Sequence, residues 1–157
     1  MKPLSRRMFA ALTGAVLAGP AFARDSALPV PGSLLTAGLA AAAVREPLVL
    51  LVSLPGCPYC ELVRRNYLLP MRAEGLHAWQ LDVTDRRLPV QDFTGQPSTG
   101  AALAARWRAS FTPTVLFFDA RGTELADRLT GIASPDFYGS YLDDAISRAR
   151  QTLSVRS

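Results

Sequence analysis

Short continuous apolar runs alternate along this chain with stretches whose apolar residues recur at helical spacing. That alternation predicts the elements. Residues 24–32 hold two prolines and a glycine and are expected to be irregular. Ser33 is a suitable N-cap for "LLTAGLAAAAVRE", a helix stopped by Pro47. "LVLLVSL" (residues 48–54) has the unbroken apolar pattern of a strand covered on both faces. Pro58 falls where proline is tolerated, in the first turn of a helix through "YCELVRRNYLL" to a break or kink at Pro70. "LHAWQLDV" (residues 76–83) predicts a second strand. "TDRRLPVQDFTGQPS" predicts a long surface connection ending in an N-cap at Ser98 or Thr99. A short helix, "GAALAARWRAS", leads to a third strand, "TPTVLFFD" (residues 112–119). A tight turn at "DARG" then returns the chain as a pairing strand, "ELADRLTG". Ser134, Pro135 and Asp136 open a last helix to about Arg150. The order α-β-α-β-α-β-β-α implies an α/β domain with one mixed central sheet and helices on both faces.

With 157 residues, 49% of them hydrophobic, the chain can build one core of ordinary size. Its first 23 residues read differently from the rest. A positive start (Lys2, Arg6, Arg7) precedes an uncharged run of 16 residues, Met8 to Ala23, closing on Ala21-Phe22-Ala23. That run is shorter than the roughly 20 residues a spanning helix needs, and it ends like a signal-peptidase site before Arg24. Residues 1–23 are therefore expected to be a signal peptide and 24–157 the mature domain. "SRRMF" resembles the bacterial twin-arginine export motif, with an ordinary secretory signal as the alternative. Removing this leader changes the charge picture. A net charge of +4 falls to about +1, with 14 arginines against 13 acids, and leaves no electrostatic case for nucleic acid.

Export also sharpens the question of the two cysteines. Both lie in "GCPYCELVRR", two residues apart, and an incidental thiol is a liability in an oxidising compartment. Cys57 falls at the junction of the first strand and the helix, where unpaired N–H groups and the helix dipole favour negative charge. A thiolate there has a pKa below the ordinary value of about 8.5 and is the nucleophile. Cys60 lies one turn further along the same face, more covered, placed to attack a mixed disulfide at Cys57. Competing readings fare worse. A purely structural bridge over two residues constrains the unfolded chain little. Zinc needs about four ligands, and the chain offers two thiols and His77.

On these residues the chain resembles the thioredoxin superfamily, across nearly all of the mature sequence. Cys57-Pro58-Tyr59-Cys60 matches the family's active-site motif and Phe111-Thr112-Pro113-Thr114 its cis-proline loop. "GCPYCELVRRNYL" with "DFTGQPSTGAALAARWRASFTPTVLFFD" is most similar to the periplasmic SoxW-type thioredoxins of bacterial sulfur-oxidation clusters. The resemblance implies a thioredoxin fold with an extra N-terminal helix and a redox-active Cys57–Cys60 pair needing no other cofactor or metal. Pro58 and Tyr59 would complete the motif. Pro113 would be the cis-proline facing the disulfide, and the Thr112 backbone would pair with an extended substrate strand. It further implies a periplasmic monomer that reduces disulfides of periplasmic proteins and draws electrons from a membrane thiol-disulfide carrier.

Two departures stand out. The buried acid of cytosolic thioredoxins is replaced by Leu51, and the tryptophan before the first cysteine by Gly56. A Dsb-like oxidase or isomerase is the nearest alternative, although about 134 mature residues leave no room for a separate dimerisation domain. A glutaredoxin also uses Cys-Pro-Tyr-Cys, but no Gly-Gly motif follows the hairpin near Thr130-Gly131. A non-catalytic copper-binding or partner-binding module is the alternative of a different class, though copper chaperones of this fold space their cysteines by three residues. His77, Trp79 and Trp107 are expected to be packing or surface residues, and Arg106 with Arg108 a solvated helix face.

Overall fold

The computed structural model describes residues 27–156; the expected signal peptide lies outside the described residues. Strand β1 (Leu48–Ser53) is buried at all six positions. It pairs in parallel with β2 (Ala78–Asp82), Val49 opposite Ala78, and antiparallel with β5 (Thr114–Phe118), Leu50 opposite Leu116. With β6 (Leu129–Thr130) on the outer side of β5, the sheet runs β2-β1-β5-β6. Because side chains alternate along a strand, β1 supplies two cores. Val49 and Leu51 pack with Phe117 against Val63, Leu68 and the helix α5 (Tyr138–Arg156). Leu48, Leu50 and Val52 pack with Leu116 and Phe118 against helices α1 (Leu34–Ala43) and α4 (Gly100–Arg106). Three layers result, with the strand that leads to the cysteines in the middle.

Both short helices begin as their sequences predict. The Ser33 hydroxyl accepts from Thr36 N–H at 3.2 Å and the Thr99 hydroxyl from Ala102 N–H at 3.3 Å. Pro70 does not end its helix. Helix α2 (Pro58–Val63) passes through a π-helical segment (Arg64–Leu68) into α3 (Leu69–Ala73). The Leu69 N–H donates to the Arg64 carbonyl, five residues back, and this wider turn carries the chain across a proline that has no N–H to give.

The connection over residues 84–97 is not a plain loop. It contains a small ribbon, β3 (Val90–Gln91) against β4 (Pro97–Ser98), organised by a buried carboxylate. Asp92 accepts from the Thr94 N–H at 2.9 Å, the Thr94 hydroxyl at 2.7 Å and the Gln96 N–H at 3.0 Å. Arg106 closes the cluster from α4 at 2.7 Å, so this arginine is not part of a merely solvated face. Val90 sits in the core, which anchors the ribbon to the sheet layer. The return strand is also shorter than expected. Glu124 bridges to Phe118 and Leu125 N–H donates to Phe117, but regular pairing then lapses until Leu129, and the Arg128 side chain pairs with Glu124 and donates to the Trp107 carbonyl at 2.7 Å. Only Leu129 and Thr130 pair regularly beyond it. At the last helix, Ser134 makes no side-chain cap; a 3-10 turn (Pro135–Phe137) precedes α5, which continues past Arg150.

The two tryptophans are packing residues. Trp107 packs at a tilt against Phe118 and Phe93, with ring centroids 5.0 and 6.3 Å away, and Trp79 lies under the Arg72 guanidinium.

Two variants test this packing. Gly100 opens α4 directly against β2, where a Cβ would collide with the Asp82 carbonyl. Gly100→Ala should therefore destabilise the protein by about 1–3 kcal/mol, although alanine is the better helix former by about 1 kcal/mol. A rise in the urea midpoint would contradict this close approach. Arg106, followed by Thr94, holds the Asp92 carboxyl well below its ordinary value of 3.8. Its stabilisation is thus complete above that value and lost only as pH falls through the depressed one. Asp92→Asn should lower the melting temperature at pH 7, and the gap to wild type should close in strong acid. An equal gap at both ends would show that the charge contributes nothing.

Candidate redox site

The apolar run of β1 ends at Ser53, and four residues turn the chain into α2. Gly56 takes a positive φ of 72°, a conformation that disfavours any side chain at this position. The Cys57 N–H donates to the Leu54 carbonyl at 3.3 Å, which closes the turn. Cys57 is the N-cap of α2 in extended conformation, and its sulfur accepts from the Cys60 N–H at 3.2 Å. A free N–H at a helix start thus points at the sulfur that would carry negative charge. The two cysteines form a disulfide with Cα atoms 5.3 Å apart. Their surroundings differ sharply. Cys57 is partly exposed, whereas Cys60 is fully buried beneath it. Only the first sulfur is open to a large reactant.

Pro58 and Tyr59 occupy the first turn and are exposed, Tyr59 at 58%. The segment before β5 contains the Thr112–Pro113 bond, which is cis, with Pro113 buried and Thr112 half-buried. The Pro113 carbonyl accepts from Gly131 N–H at 2.7 Å, and the Thr114 hydroxyl donates to the Phe111 carbonyl at 2.7 Å. These bonds fix the loop at the end of β5 nearest Cys57, because β5 is antiparallel to β1 and begins where β1 ends. Phe111 is 63% exposed and its ring lies over Gly131. Its exposure was not legible from its place at the start of an apolar run.

His77 is at the other end of the sheet. Its carbonyl accepts from Val49 N–H at the start of β1, so no cysteine–histidine ligand set is assembled. Leu51 is fully buried in the core under α2. The polar groups under the helix instead come from Ser53, two residues closer to the disulfide, and from Arg64. Arg64 is only 7% exposed, donating to Ser53 Oγ at 3.3 Å, to Gln80 Oε1 at 2.7 Å and to Glu61. Sequence reasoning missed this arginine. Its signal was a charge on the apolar stripe that also carries Cys60 and Leu68.

A family model for the thioredoxin-like domain matches residues 39–146. The chain belongs to the thioredoxin-like domain family. Solved structures share its fold, two of them as follows. Thioredoxin O2 from Arabidopsis thaliana in the oxidised state superimposes with a TM-score of 0.51 at 16% identity, over 77% of this chain and 96% of that one. DsbH oxidoreductase gives a TM-score of 0.53 at 16% identity, over 89% and 95%. At such identities the likeness establishes the fold alone. No curated protein matches the chain. The thioredoxin-like fold and the CXXC disulfide together support a thiol-disulfide oxidoreductase.

The unequal burial of the sulfurs has a direct test. In the reduced folded protein, brief treatment with iodoacetamide should label Cys57 at least about tenfold faster than Cys60, and the difference should vanish in denaturant. Peptide mapping by mass spectrometry reads both sites. Equal labelling in the folded state would refute the proposed division of labour.

Proposed function

We propose that the protein is an exported thiol-disulfide oxidoreductase whose main task is to reduce disulfides of periplasmic protein partners. The observation that carries this reading is the Cys57–Cys60 disulfide at a helix start, with one sulfur accessible and the other buried. A dithiol donor supplies two electrons and two protons to open the bond, and the Cys57 proton is lost most easily. The Cys57 thiolate then attacks a partner disulfide. A Cys57–partner bond forms and the first partner sulfur leaves as thiolate. Cys60 loses its proton and attacks Cys57, which releases the second partner sulfur and restores the Cys57–Cys60 bond. The disulfide is itself the redox group, and no further cofactor is required.

Thr112 and Pro113 are assigned to substrate positioning. The Thr112 backbone can pair with an extended peptide beside the sulfur, and exposed Tyr59 and Phe111 offer apolar contact. The leader pattern at residues 1–23 supports delivery to the periplasm, and the similarity of "GCPYCELVRRNYL" to SoxW-type proteins supports a membrane thiol carrier as electron donor. A Dsb-like oxidase or isomerase is the second reading, favoured by the threonine before the cis-proline.

The exchange chemistry and its direction are tested together. Cys57→Ser should reduce a model protein disulfide no faster than the supplied dithiol alone, whereas Cys60→Ser should accumulate mixed disulfides. Trapped complexes formed through Cys60 in the absence of Cys57 would reverse the assignment. Equilibration with glutathione should place the couple near the glutaredoxin range of about −200 to −230 mV. A value near the −120 mV or so of the oxidant DsbA, with rapid oxidation of reduced unfolded proteins, would make the oxidase reading the better one.

A further inference from the structure

The buried arginine behind the disulfide is unexplained by packing. Arg64 is one turn beyond Cys60 on the helix, so Cys57, Cys60 and Arg64 follow one another at spacings of three and four on a single face. Helical side chains lean towards the N-terminus, and here the lean is directed at the cysteines. The guanidinium reaches back to Ser53 at the end of β1, and the next residue, Leu54, accepts the hydrogen bond from Cys57 N–H. The contact to the buried cation and the contact to the nucleophile therefore fall on adjacent residues. Three elements hold the guanidinium in place: Ser53 from β1, Glu61 from its own helix and Gln80 from β2.

The charges facing it are unequal in weight. Glu61 is 45% exposed and is shared with Arg65, itself 63% exposed and 3.0 Å from the carboxylate. Asp82 of β2 lines the same cleft of about 150 Å³ and is occupied by the Thr84 N–H and hydroxyl at 2.7 Å each. Water screens the exposed charges strongly and the buried one weakly. Of the charges in this cluster, the Arg64 guanidinium is thus the least screened by water.

We propose that Arg64 is a positioning residue for the exchange reaction, whose buried positive charge stabilises the Cys57 thiolate and so makes the Cys57–Cys60 couple more oxidising. The inference rests on the exchange reading above. It places the polar group beneath the helix at a cation anchored to Ser53, with Leu51 apolar on the same face two residues away.

Three variants test it, read by thiolate absorbance against pH in the reduced protein and by equilibrium with glutathione. Arg64→Gln should raise the Cys57 pKa and shift the equilibrium three- to tenfold towards the disulfide; tenfold corresponds to about 30 mV. Arg64→Lys keeps the charge without the forked contacts and should restore most of both values. Glu61→Gln, at a half-exposed position that should fold normally, removes the opposing charge and should move both values the other way. If Arg64→Gln fails to fold, Glu61→Gln still decides. Changes within twofold for the folded variants, with or without lost stability, would overturn the proposal and leave Arg64 as a packing residue. Failure of the wild type to exchange with glutathione would instead remove the exchange reading. The thiolate titration needs only reduced protein and would still judge the charge effect.

Discussion

Burial of β1 on both faces is the constraint from which the rest of the molecule follows. A strand whose six residues all avoid water must be paired on both edges and covered above and below, which requires β2, β5 and helices on each side. Its odd positions commit α2 and α5 to one face, its even positions α1 and α4 to the other. Because the strand cannot slip by one residue without exchanging its faces, its end is fixed in space. The cysteines inherit that fixity. Four residues after the last strand position, Cys57 caps a helix anchored through Val63 and Leu68 in the core.

The site combines a rigid base with an open rim. Cys60, Leu51 and Pro113 are buried, while Tyr59 and Phe111 stand in solvent around the one partly exposed sulfur. A large partner can therefore meet Cys57 without the domain opening, and the second sulfur is held one turn away for resolution. Beneath them, Ser53, Arg64, Glu61 and Gln80 form a polar cluster on this side of the sheet.

Much of this was legible in the sequence because it depends on local patterns. The unbroken apolar run announced β1, Pro58 announced the helix start, and the cysteine spacing announced the chemistry. What was hidden depended on contacts distant in sequence. The ribbon over residues 84–97 is held by Arg106, 14 residues from Asp92, and polar turn residues alone resemble any surface loop. The Arg128 side chain reaches the carbonyl at the end of α4, 21 residues away. Arg64 finds Gln80 across 16 residues, and its place on the apolar stripe hints at burial without naming the partners that satisfy it. Pro70 was legible only in part. A proline inside a helical pattern signals a break or kink, but the upstream widening that carries the helix across it leaves no mark in hydrophobic periodicity.

The π-helical segment does more than accommodate Pro70. An added residue in one turn advances the angular phase of everything after it by roughly 100°, so the two halves of the helix need not share one apolar stripe. The first half presents Cys60, Val63 and Arg64 inward, and the second turns Met71 to the core and Arg72 across the indole of Trp79. The redox half and the half that grips the sheet edge are thereby decoupled in sequence. Substitutions that tune the chemistry around Cys60 do not have to satisfy the docking of α3, and the joint between them is five residues long.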